Sequence, residues 1–498
     1  MTTPQPPSDD QIGPAGVPRD RRPGRSALKT ALVAGTGLAV VGTAGAAFAL
    51  GHYFGGGGAQ PEDVLPRNAV AVFKVDLDPS LGQKKAIYDL SKAFPKIAAT
   101  TKGSGSVSDD LLSSAVHRGR SGVDYDRDIK PWLGKRAAFA AVPDNSQDGT
   151  STVAAIQYTD KARAMATLDQ QRARDARHPF SFAFSGDYVI LAETQAKADE
   201  YAKATSHLAD NPAYKKAVGA LDGDQVAVGW ADVRGIYAAL PKDRLQGNPL
   251  FSSLRAPSGS VVIGVHADSH FVEVQGKAVD VADSLTSVGG STIGAQKGGN
   301  LLASFPDDTA AALEVTGLGE ALTKAYTSFS KDNGETLSSI TDQARALGLQ
   351  LPDDVSTVLG NDLALGAIGD RRGGSLSVAA HIATSNPAKA LEILDKVNGR
   401  AGGGPLRLTY ERDGGGGYVV GNSRAAVDAV TRGNLGAAER FRRAVPDAKD
   451  AGFAMYVDIQ RVAQIAGRTD DEDIKHLDAF GLTANGSDAG FRIRLTVR

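Results

Sequence analysis

His266 and His270 flank Asp268 in the run His266-Ala267-Asp268-Ser269-His270, and two imidazoles with a carboxylate between them are good ligands for a transition metal. The run also has the composition of a hairpin turn, where exposed histidines need no metal. The related stretch later in the chain, 484–490, carries no histidine, so no metal site is expected. Asp232 and Asp458 each follow an aromatic residue by two positions, in Trp230-Ala231-Asp232 and Tyr456-Val457-Asp458. Paired carboxylates can divide acid and base roles, but each of these precedes a helical run, 233–240 and 459–466, and an N-cap aspartate satisfies free backbone N–H groups. Capping is the expected role.

The glycine runs 55–58, 402–404 and 414–417 imitate phosphate cradles. The first joins an apolar segment to the rest of the chain, and the others lie either side of a predicted strand, 406–411, so flexible spacers are expected. The chain has no Gly-x-Ser-x-Gly elbow, no His-Glu-x-x-His and no Gly-x-x-x-x-Gly-Lys-Ser/Thr loop. Gly119-Arg120-Ser121-Gly122 is too short a match to carry meaning. No catalytic, cofactor-binding or metal-ligating residue is therefore expected, no cofactor, and no enzyme.

The elements that would position such residues follow from length and composition. With 498 residues the chain exceeds one hydrophobic core. Its 42% apolar and 22% charged residues are ordinary for a globular protein. Lys plus Arg number 55 against 57 Asp plus Glu, and no basic, aromatic-interleaved segment suits nucleic acid as a partner. Cysteine is absent, which removes thiol nucleophiles, Cys-ligated zinc, iron–sulfur clusters, disulfides and a lipidated cysteine. Such a chain fits export to an oxidising compartment.

Residues 1–29 are polar and rich in Pro, Gly, Asp and Arg, a composition expected to stay disordered. Residues 30–50 are 21 consecutive uncharged residues, enough at about 1.5 Å per residue to cross a hydrocarbon core of roughly 30 Å. Arg19, Arg21, Arg22, Arg25 and Lys29 precede the run, whereas His52-Tyr53-Phe54 and four glycines follow it. Positive charge stays inside, so the expectation is a single-pass cell-membrane protein with a cytoplasmic N-terminus and everything after a Gly-rich linker, 51–60, outside. A cleaved signal peptide is the alternative, since Ala44-Gly45-Ala46 and Ala47-Phe48-Ala49 have the small-x-small form of a cleavage site.

The exported part repeats itself. Leu133-Gly134 recurs at Leu359-Gly360, Leu168-Asp169 at Leu394-Asp395, and Trp230-Ala231-Asp232 at Tyr456-Val457-Asp458, each 226 residues on. Tyr214-Lys215-Lys216-Ala217-Val218 matches Phe441-Arg442-Arg443-Ala444-Val445 at 227, and Tyr188-Val189 matches Tyr418-Val419 at 230. Two tandem copies are expected, 61–285 and 298–498, joined by a Gly/Ser-rich linker at 286–297. In the first copy, strands are predicted at 70–77, 136–142, 152–158, 180–184, 188–192, 225–230, 260–266 and 271–277, with hairpin turns at 185–187 and 267–269. Helices are predicted at 84–94, 161–173, 195–204 and 213–221. Short hairpins among single helices indicate α+β, an antiparallel sheet covered by helices.

With the anchor, the Leu65-Pro66 opening, the strand ending Val75-Asp76-Leu77-Asp78, the Gly186-Asp187-Tyr188-Val189 hairpin and the stretch Leu208-Ala209-Asp210-Asn211-Pro212-Ala213-Tyr214, the chain resembles the bacterial family catalogued as domain of unknown function 3352. The likeness extends over nearly the whole exported part. It implies an envelope location and brings no activity, ligand or catalytic residue. The function expected is a non-catalytic binding or scaffold body in the cell envelope, taking a protein, lipid or cell-wall ligand. A carrier of hydrophobic ligands and a hydrolase using carboxylates between the copies are the alternatives.

Overall fold

Alternating or continuous apolar residues bounded by Gly, Asp, Asn and Ser place the strands, and the computed structural model realises them with shifts of a few residues at their ends. It describes residues 59–76, 124–145, 149–174, 180–239, 258–281, 293–332, 334–346, 348–369, 376–400, 408–471, 474–486 and 489–498. The predicted membrane span 30–50, the tail 1–29, most of the linker 51–60 and the predicted helix 84–94 lie outside these. Among the described residues no helix is long and apolar enough to cross a membrane.

Eight strands precede residue 282: β1 (Ala71–Asp76), β2 (Leu133–Pro143), β3 (Thr150–Tyr158), β4 (Ser181–Ser185), β5 (Tyr188–Ala192), β6 (Ala227–Asp232), β7 (Ser260–Asp268) and β8 (Phe271–Val279). Eight follow: β9 (Thr309–Thr316), β10 (Asp362–Gly369), β11 (Leu376–Ala383), β12 (Thr409–Arg412), β13 (Gly417–Gly421), β14 (Phe453–Asp458), β15 (Leu477–Asn485) and β16 (Gly490–Val497). All join in one 16-stranded sheet, order β12-β13-β11-β10-β9-β14-β15-β16-β8-β7-β6-β1-β2-β3-β5-β4. Every neighbouring pair is antiparallel. The class is α+β. Read outward from the centre, each half has the same order, and the halves meet where β8 pairs β16, Phe271 to Lys277 against Thr496 to Gly490.

Helices cover the sheet where the sequence supplies caps. Thr194 accepts from Lys197 N at 3.3 Å and starts Gln195–Ala202. Asn211 accepts from Ala213 N and Tyr214 N, and Pro212 follows at the first helical position of Pro212–Val218, where its missing N–H costs nothing. That helix packs on β6, β7 and β8, and the helix Glu439–Ala444 packs on β15 and β16. In each half an aromatic on this helix meets the aromatic of the inner strand edge to face: Tyr214 with Trp230 at 5.4 Å and Phe441 with Tyr456 at 5.3 Å between ring centroids. Such pairs add about 1 kcal/mol beyond area burial. Around them lie two main cores, one with Leu65, Tyr188, Ile190 and Leu208, the other with Leu302, Phe305, Val427 and Leu435.

The described part of the expected linker is tied down: Gly294 N donates to Thr316 O at 2.9 Å and Gly294 O accepts Gly486 N at 2.9 Å. Residues 414–417, expected as a spacer, instead build the β12–β13 turn. Gly414 and Gly416 take φ of 74° and 102°, a conformation open to glycine, and this lets Gly415 N and Gly417 N both donate to Asp413 Oδ1 at 2.8 Å.

Candidate functional site

The strand pair that fuses the halves is apolar on one face and charged on the other. Val272 and Leu495 lie with Val226, Leu477 and Val497 in a small core. On the opposite face Glu273, buried to 1% exposure, accepts Arg492 Nη1 at 3.0 and 3.1 Å and Arg494 Nε at 2.7 Å. Arg492 also reaches Asp222 Oδ2 at 2.6 Å and Asp447 Oδ2 at 2.7 Å, one carboxylate from each half. Burial works against the Arg492 charge, but the carboxylates of Glu273 and Asp447 and the hydrogen bonds to Glu273 and Asp222 outweigh it, and its pKa is raised. The charge is fixed at any working pH.

Above this floor, between the segments that follow the helices Pro212–Val218 and Glu439–Ala444, is a cavity of about 580 Å³. Asp222 and Asp280 line one side, Asp447 and Asp450 the other, with Lys277, Arg492 and Asn485 among the strand residues below. Lys297 donates to Asp450 at 2.8 Å and holds its carboxyl below the usual range. The wall thus offers carboxylates, an amide and cations within one space, a donor and acceptor set suited to a hydrated polar ligand.

A second polar grouping lies inside the later half. Glu314 on β9 and Asp362 on β10 are 2% and 6% exposed. Leu302 N donates to Glu314 Oε2 at 2.9 Å and Gly299 N to Asp362 Oδ2. Burial first, and then the Asp362 charge, push Glu314 up to about 7. Burial also raises Asp362, against the Gly299 N–H, the Glu314 hydrogen bond and His381. His381 on β11 links Ser304 Oγ at Nδ1 and Asp413 Oδ2 at Nε2, each 2.8 Å. Burial would raise the Asp413 carboxyl, but the hydrogen bonds from His381, Gly417 and Gly415 prevail and lower it. Although this row contains the residue types of a hydrolytic triad, Ser304 Oγ donates its proton to Leu301 O at 2.7 Å. It secures the β12–β13 turn to the turn Leu301–Ser304.

The sequence-derived candidates fall elsewhere. Asp458 accepts Arg461 N at 2.8 Å, capping Ile459–Ile465 as expected, and also pairs with Arg440 at 2.6 Å. The Asp232 carboxylate stands over Gly235 in the first turn of the helix Val233–Ala239. Strands β6 and β14 are separated by β7, β8, β16 and β15, so at about 4.8 Å per strand the two aspartates sit on strands roughly 24 Å apart. They are not brought together. His266 Nδ1 bonds Asp224 O at 2.6 Å, tying the β7–β8 hairpin to the segment before β6, and Asp268 accepts His270 N at 3.1 Å within the turn. Sequence reading missed Glu273, Arg492, Arg494, Glu314, Asp362 and His381. The available signal was a charge or imidazole inside an apolar or alternating strand.

Comparison with known proteins agrees with the resemblance in the sequence: the family model described as protein of unknown function DUF3352 matches residues 31–178. The matched region includes β2 and β3 and ends before Leu208–Tyr214. No curated protein matches the chain.

Proposed function

We propose that this chain is a single-pass membrane protein whose extracytoplasmic part, two copies of one α+β unit fused edge to edge, is a non-catalytic binding body. Its ligand is a polar component of the cell envelope, held in the cavity at the fusion. The carrying observation is that cavity of about 580 Å³, walled by aspartates of both halves above a buried charge cluster. A hydrophobic ligand there would strip water from Asp222, Asp447 and Arg492 without replacing their hydrogen bonds, a loss of a few kcal/mol per group. The matching strand orders and aromatic pairs of the halves support the duplication. The arginines before residue 30 and the absence of Lys and Arg from residues 51–66 support the orientation.

Native mass spectrometry of the full chain, extracted from its host's membrane, tests the ligand. A bound glycan or peptide mass lost on Asp447→Ala substitution is expected, and a bare polypeptide or a retained acyl lipid would refute the polar-ligand reading. Because the chain lacks cysteine, Gln170→Cys on the exposed surface of the helix Lys161–Arg174 tests orientation. An impermeant maleimide should label it in cells whose outer barrier is opened but whose inner membrane is intact, and protection there would reverse the topology.

A further inference from the structure

The turn Gly298–Leu302 lies between the buried carboxyl pair and one wall of the cavity. From the carboxyl side, Asp362 accepts Gly299 N and Glu314 accepts Leu302 N at 2.9 Å. From the cavity side, Gly298 N donates to Ala451 O at 2.9 Å, Lys297 pairs with Asp450 at 2.8 Å, and both Asp450 and Ala451 line the cavity. The fit leaves no slack, since a Cβ on Gly298 would stand 2.5 Å from Glu314 Oε1 and 3.1 Å from Ala451 O.

The remaining oxygens, Glu314 Oε1 and Asp362 Oδ1, are buried and lack any other hydrogen-bond partner. One proton between them satisfies both, whereas two ionised carboxylates repel at short range in a site from which water is excluded. We propose that the Glu314–Asp362 pair is a pH-operated clasp on the junction cavity: protonated, it holds the turn 298–302 and the Asp450–Ala451 wall, and loss of its proton loosens both. The inference takes the cavity as the ligand site, as proposed above.

The groups facing the pair are few. His381 approaches from β11 and is itself engaged by Asp413 and Ser304, and β14 places Ala454 opposite Glu314. Beyond the turn are Lys297 and Asp450. In the first half Lys74 stands between Ala138 and Val228, as Glu314 does between Ala364 and Ala454. There Lys74 grips Glu62 of the opening turn at 2.5 Å, a cation–carboxylate pair where the later half has two carboxyls. The first half is therefore an internal control.

Hydrogen exchange of the full chain, followed by mass spectrometry at pH 6 and pH 8 and corrected for intrinsic rates, reads the clasp without a ligand. Protection in peptides covering 297–303 and 448–452 should fall by about tenfold between the two pH values, following the ionised fraction of the pair. Peptides covering 60–66 should not respond. Glu314→Gln, which keeps the size and can donate to Asp362, should abolish the pH response, and Asp362→Asn should do the same if the first variant folds poorly. Equal pH responses in wild type and both variants would overturn the proposal, as would a response of the turn without the wall. A responding clasp in a chain with no bound mass would leave the clasp standing and refute only the ligand reading.

Discussion

Replacing Glu273 by Gln should loosen the central joint of the sheet. The carboxylate is the shared acceptor of Arg492 and Arg494, with nitrogens at 2.5 to 3.1 Å. Removing one partner of a buried ion pair costs roughly 3–5 kcal/mol, because the charges left behind are uncompensated. Arg492 keeps Asp222 and Asp447, but among the described residues Arg494 keeps only the Arg443 carbonyl at 3.0 Å and the face of Phe271 at 3.9 Å. The lower end of the range, about 3 kcal/mol, is the expected loss. Both tryptophans, Trp132 and Trp230, belong to the first half, so their fluorescence in urea reports that half while far-ultraviolet circular dichroism reports both. The two transitions should coincide in the wild type and separate in Glu273→Gln, and adding Arg494→Leu should recover part of the loss by removing the stranded charge. Coincident transitions with a loss under about 1 kcal/mol would refute the reasoning, because they would mean that water screens the cluster as it does at a surface.

Three further outcomes are expected. Glu314 is raised from 4.5 to about 7 in the folded chain, so the fold binds more protons than the unfolded chain between those values. Its stabilising effect is complete below pH 4.5 and lost as pH rises through 7; a pH series of thermal melts should show the wild type losing about 3 kcal/mol relative to Glu314→Gln between pH 4 and 8. A Cβ on Gly481 would fall 2.0 Å from Ala444 O, so Gly481→Ala should cost at least about 1–3 kcal/mol by forcing the helix Glu439–Ala444 off the sheet, read as a lowered melting temperature. Ala59 O accepts Arg136 Nη1 at 3.1 Å and Tyr188 Oη at 2.8 Å. Deleting residues 1–58 should therefore leave a folded, soluble chain, while deletion through residue 63 should give a visibly lower melting temperature.

Local chemistry made much of the sheet legible. The segment 188–192 is a continuous apolar run that forms the expected strand and is buried almost throughout, and Gly186 at φ 52° turns the hairpin before it. The role of Asp458 followed from its place before an apolar helical run. The fusion of sixteen strands into one sheet was not legible, because Phe271–Val279 and Gly490–Val497 each read as an ordinary half-buried strand. Their complementarity, Glu273 opposite Arg494 and Gln275 opposite Arg492, exists only once the register is known. Glu314 and Asp362 were missed because each, taken alone, is a single carboxylate in an apolar run, and only the register of β9 against β10 makes them neighbours.

Charge at the joint also decides which strands pair. A second β16 laid antiparallel against β16 would bring Arg492 and Arg494 against arginines, and two β8 strands would bring Glu273 towards glutamate, so like charges would meet in a buried register. Pairing β8 with β16 places Glu273 between Arg492 and Arg494 instead. Self-pairing of β8 or of β16 is therefore opposed, and the joint favours the union of unlike halves. The same cluster forms the floor of the cavity, so the charges that select the partner strand also supply Arg492 and the carboxylates of Asp222 and Asp447 to whatever the cavity holds. A ligand that competed for Arg492 would have to replace two carboxylates, one from each half, and would act on the joint as much as on the cavity.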